Sequence, residues 1–139
     1  MRTYILILAI CVIALGSVCQ TFAQTTPVSS RDISWRSSEL TDKSNSKRLV
    51  QPHTLDTHKK SYIELHRGSE QTLRFDVNSV TGDWKDEKSE GQLVYNVTST
   101  NGVPGVITIT RSGTITKAYL DFTQTNKNGL HIELILAGD

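Results

Sequence analysis

Beyond Ser61 the chain alternates apolar and polar residues with a period of two, the spacing that gives a β-strand one buried and one wet face. Ile63 and Leu65 alternate with Tyr62, Glu64 and His66, and Leu73, Phe75 and Val77 with Thr72, Arg74 and Asp76. Leu93, Tyr95 and Val97 make a third set, and Ile107 and Ile109 a fourth. Ala118, Leu120 and Phe122 alternate with Tyr119 and Asp121, and Leu130, Ile132, Leu134 and Leu136 with His131 and Glu133. Gly or Asn separates these runs at Gly68, Asn101-Gly102, Ser112-Gly113 and Asn126-Lys127-Asn128-Gly129, where hairpins need positive φ. Connections this short join antiparallel neighbours, so a meander is predicted.

Upstream the pattern weakens. Ile33 to Leu40 predicts a further strand, and a short one is expected around Gly82–Asp86. Thr41 to Lys60 reads as a long loop or a poorly patterned connection, and Gln24 to Arg31 as a disordered leader. Residues 32–139 then make one all-β domain, an antiparallel meander of about six to eight strands. Its apolar face must be covered. The sheet therefore closes, or partly closes, into a barrel; the alternative is a two-layer β-sandwich.

The start of the chain has a different logic. Met1-Arg2-Thr3-Tyr4 is a short positive segment, Ile5 to Val18 is almost wholly apolar, and Thr21-Phe22-Ala23 places small residues before a cleavage point. That is the layout of a signal peptide spanning residues 1–23, too short at about 14 apolar residues to span a bilayer. An exported product beginning at Gln24 is expected, in the periplasm or the medium, with no stable membrane insertion after cleavage. Both cysteines, Cys11 and Cys19, fall in the leader, so the mature chain carries neither a disulfide framework nor a thiolate metal site.

Charge narrows the partners. Of 139 residues, Lys and Arg supply 15 and Asp and Glu 14; with Arg2 removed the two signs balance. Nucleic acid and anionic membranes demand an excess of positive charge, so neither is expected as partner.

Chemistry is sparse. His53 and His58, with Asp56 between them, match no standard ligand spacing and read as solvated side chains in a polar loop. His66 and His131 fall on the polar faces of their strands. Neither Ser69 nor Ser112 stands in a nucleophile elbow, and Asp83, Asp86, Glu87 and Glu90 alternate with lysines as in a solvated loop. No enzyme, no cofactor and no metal are expected.

The order of features resembles the short lipocalin-like domains of exported bacterial proteins. The resemblance spans residues 31 to 136: Trp35 on the first strand, Tyr62-Ile63-Glu64-Leu65, Leu73-Arg74-Phe75, the stretch Gly82-Asp83-Trp84 through Tyr95, and a last hairpin from Tyr119 to Leu134. It implies a barrel architecture more than a ligand. An eight-stranded barrel is just wide enough to be filled by side chains or to hold one small molecule. The inward residues are mostly Ile, Leu, Phe and Tyr, with Ala118 the one small exception, which predicts a largely filled interior. Any ligand-binding site is expected inside or at the mouth, bounded by Trp35, Phe75, Tyr95 and Phe122. The function expected is a non-catalytic module binding a small apolar ligand or a protein partner, the alternative being a structural or envelope-interaction scaffold with no ligand.

Overall fold

Eight antiparallel strands run in chain order around a closed barrel, each paired with its sequence neighbours and the last with the first. The computed structural model describes residues 26–69, 71–123 and 129–137; the leader at residues 1–23 and most of the Asn126–Gly129 turn lie outside them. The strands are β1 (Asp32–Asp42), β2 (Lys47–His58), β3 (Tyr62–Arg67), β4 (Gln71–Thr81), β5 (Gly91–Ser99), β6 (Pro104–Ser112), β7 (Ile115–Phe122) and β8 (Leu130–Leu136). Closure is made where Leu40, Thr41 and Asp42 pair with Leu134, Glu133 and Ile132. This settles barrel against sandwich, and a ladder closed on itself leaves no free edge for another chain.

Alternation decides what faces inward. Ile63, Leu65, Phe75, Leu93, Tyr95, Val97, Ile107, Ile109, Ala118, Leu120, Phe122, Ile132 and Leu134 are all buried. Tyr119, Asp121, His131 and Glu133, one residue out of phase, are not. Each fully buried Ile or Leu contributes about 1.5–3 kcal/mol of hydrophobic stabilisation. The β6–β7 hairpin turns at Gly113, whose φ of 59° suits a residue without a Cβ.

One end of the barrel is closed. The connections after β2, β4 and β6 meet there with the N-terminal segment. Trp84, from the β4–β5 connection, turns inward and stacks on Trp35 with ring centroids 5.6 Å apart. Its Nε1 donates to the Ser89 carbonyl at 3.0 Å, so the indole is buried without an orphaned donor. A 3₁₀ turn, Val28–Ser30, buries Val28, and the Val28 amide donates to the Trp84 carbonyl at 2.9 Å. Arg31 braces this plug, reaching the Thr26 carbonyl through Nε at 2.7 Å and the Glu87 carboxylate through Nη1 at 2.8 Å.

Three expectations are corrected here. Residues 41–60 hold a twelve-residue strand, β2, after a tight turn, and not a long loop. Two things hide it: its inward positions carry His53 and Thr57 as well as Leu55, and the pleat resets where Ser38 of β1 faces the unpaired Gln51 and Pro52. Gly82–Asp86 is no strand; it is the loop that delivers Trp84. Thr26–Arg31, placed in a disordered leader, is ordered by burial of Val28 and by the hydrogen bonds of Arg31.

Candidate functional site

The four residues expected to bound a site divide between two places and the wall between them. Trp35 belongs to the closed end, 2% exposed and stacked on Trp84. Tyr95 lies in the middle of β5, and burial pushes its phenol up to about 12, so the hydroxyl stays protonated in neutral solution. Phe75 and Phe122 come together at the other end, their rings stacked at 4.9 Å between centroids. The structure thus unites only this pair.

The stack is held by a missing side chain. Gly105 pairs with Phe122 across β6–β7, and the Phe122 ring lies over it. Above the two rings opens a hollow of about 310 Å³, lined by Leu73, Phe75, Ser99, Asn101, Val103, Phe122, Gly129 and Leu130. These residues come from the start of β4, the β5–β6 connection, the end of β7 and the start of β8. The hollow is therefore the barrel's mouth, at the end opposite the tryptophan plug. Leu73 and Leu130 continue the inward alternation of their strands and were legible from it; Val103, in a loop, was not.

A larger hollow, about 830 Å³, lies on the outer wall where β1 and β2 bulge beside β8. Val50 and Ile135, exposed at 75% and 46%, line it with Pro52, Leu136 and Ala137. Glu39 also lines it and pairs with Arg48. A neighbouring hollow of about 590 Å³ shares Gln51 and Pro52 and continues to Arg67, Gly68 and Ser69. No periodicity marked either one, because a bulge is where the period breaks.

The histidines behave in two ways. His66 and His131 face outward, as their strand positions require, beside Asp56 at 3.0 Å and Asp121 at 2.9 Å. His58 stacks on Tyr62 at 4.2 Å, with the Arg74 guanidinium over the other ring partner at 3.9 Å. His53, expected as a solvated loop side chain, is instead 2% exposed. Burial first, and the Arg67 charge second, hold its imidazole below the ordinary range, so the ring is neutral in neutral solution. Among the described residues no group of three or more His, Cys, Asp and Glu side chains is arranged to hold a metal ion.

Compared with known proteins, the chain matches no family model, no curated protein and no solved structure. Geometry and chemistry alone carry its functional reading.

Proposed function

We propose that this protein is an exported, non-catalytic β-barrel module that takes a small apolar molecule at the open mouth of its barrel. The observation that carries the reading is the hollow of about 310 Å³ floored by the Phe75–Phe122 stack. Its volume is that of a small ligand site, and barrel mouths are favoured places for one. The rest of the lumen is packed with Trp35, Trp84, Tyr95 and the aliphatic residues around them, which directs a ligand to the rim. In outline the eight-stranded meander fits a lipocalin-like barrel, and the kinship that fit suggests remains part of the proposal. Export rests on the leader at residues 1–23, and intact mass of the processed protein beginning at Gln24 is the expected outcome.

Titration with N-phenyl-1-naphthylamine, read by the dye's own emission, tests the site. Tryptophan emission is a poor reporter, since both indoles sit at the closed end. The dye should bind the wild-type chain and bind at least about 10-fold more weakly to Val103→Asp, which places a charge on the lip. A wild-type chain that leaves the dye dark overturns the reading in favour of a filled scaffold without a ligand.

A further inference from the structure

Among the described residues, no ionisable side chain lines the mouth of the barrel. Leu73, Val103 and Leu130 make its aliphatic wall, and Ser99 and Asn101 supply its polar side chains. Charged residues stand next to these positions in the chain, but strand alternation turns them away. Arg74, between Leu73 and Phe75, lies over the Tyr62 ring and reaches Asp76 at 3.4 Å. Asp121 and His131, beside Phe122 and Leu130, pair with each other at 2.9 Å on the outer face. Arg67, at the same end of the barrel, lines the other hollow with Gln51 and Gly68. A charged group entering the mouth would lose its water and meet no counter-charge.

The floor narrows the ligand further. One face of Phe122 stacks on Phe75 with centroids 4.9 Å apart, and the other lies over Gly105. With both faces covered, Phe122 shows the hollow its edge. A ring edge carries the positive part of the aromatic quadrupole, which attracts the π face of another ring. On the lip, the β5–β6 turn is fixed by three hydrogen bonds. The Ser99 amide donates to the Val103 carbonyl at 2.9 Å, the Gly102 amide to the Ser99 carbonyl at 2.8 Å, and the Val103 amide to Ser99 Oγ at 3.1 Å. Asn101 rides on that turn, and its side-chain amide has no partner among the described residues. An amide both donates and accepts, without charge.

We propose that the mouth selects an uncharged aromatic molecule bearing a hydroxyl or amide group, its ring face against the Phe122 edge and its polar group on Asn101. The inference rests on the mouth being the binding site and names what that site accepts. Burial against the aliphatic wall supplies most of the affinity, while the ring edge and the amide decide between ligands.

N-phenyl-1-naphthylamine and 8-anilinonaphthalene-1-sulfonate, one skeleton without and with a sulfonate, test the exclusion of charge on the processed chain. The neutral dye should bind about 10-fold or more tightly. Its displacement by 2-naphthol, 2-methylnaphthalene and decahydro-2-naphthol tests the rest. The first should outcompete the other two by about 3-fold or more, since one lacks the hydroxyl and the other the π face. Asn101→Ala, at an exposed turn position, should erase the advantage over 2-methylnaphthalene and leave the urea midpoint unchanged. Equal binding of the two dyes overturns the exclusion of charge. Equal displacement by 2-naphthol and its saturated counterpart overturns the aromatic assignment, and an advantage that survives Asn101→Ala overturns the amide's role. A neutral dye that stays dark overturns the mouth reading itself, an outcome distinct from all of these.

Discussion

Gly105 stands directly opposite Phe122 in the β6–β7 ladder, and the phenylalanine ring occupies the space that any side chain at 105 would need. A Cβ built on Gly105 would fall 2.2 Å from Phe122 Cδ1, a distance no real pair of carbons tolerates. The glycine is therefore what lets Phe122 lie flat against the wall and stack on Phe75.

Gly105→Ala should push the Phe122 ring off its seat and break the stack. The cost of overpacking of this kind is about 1–3 kcal/mol. It is read as a lower urea midpoint at unchanged slope, together with weaker binding of the naphthylamine dye at the mouth. Retained midpoint and retained dye binding would mean that the ring is held by something other than the missing Cβ.

Trp84 lies in a loop yet is 1% exposed. Trp84→Ala removes the stack on Trp35, the hydrogen bond to Ser89 and the volume that closes the barrel, and should cost about 3–5 kcal/mol. The coupled indole signal in near-ultraviolet circular dichroism should vanish in Trp84→Phe as well, although that variant keeps most of the buried area. A loop residue of ordinary exposure would lose less than about 0.5 kcal/mol on truncation.

Ile132 and Glu133 are adjacent and point to opposite faces. Ile132→Ala should cost about 2–5 kcal/mol. Glu133 holds Lys43 and Lys117, each at 3.1 Å, and surface pairs of this sort contribute about 0.2–1 kcal/mol apiece. Burial alone would raise its carboxyl, but hydrogen bonds from the two lysines and their charges outweigh that and hold it below the ordinary value of 4.5. Its contribution is thus present above pH 4.5 and lost as pH falls through the lower folded value. Glu133→Gln should flatten the stability curve in that acid window, as measured by urea unfolding at several pH values.

His53 works in the same direction from a higher starting point. Its imidazole, lowered by burial and then by Arg67, takes up a proton more readily in the unfolded chain, whose value is near 6.5. Stability is complete above 6.5 and declines as pH falls toward the folded value, because protonation favours the unfolded state. His53→Leu, of similar volume and with no unmet polar atoms, should remove that decline and match or exceed the wild type near pH 5. An unchanged slope from pH 6.5 downward would assign the decline to other groups.

Legibility followed the period. From Ile63 to Leu136 every strand lies where alternation placed it, and each inward face is the apolar one, since a one-residue slip would have turned a whole strand inside out. Of the site, alternation pointed Phe75 and Phe122 inward, but it could not say that they would meet each other and not Trp35 or Tyr95. Of the expected six to eight strands the barrel has eight, one of them not as placed: β2 takes the place given to Gly82–Asp86.

What the sequence determined by itself is the local part: extended backbone, the faces of its strands, the glycine turns, and so the antiparallel meander. These follow from side-chain period and turn chemistry, which act between residues a few positions apart. Tertiary structure alone decided the rest. Closure of β1 on β8 joins Leu40 to Leu134, and the Trp84 plug depends on Trp35 and Val28 far away in the chain. The bulge that buries His53 while exposing Val50 lies where the β1–β2 ladder shifts register between Ser37 and Glu39. Such features are set by which distant surfaces must share a volume, and no period in the chain carries that information.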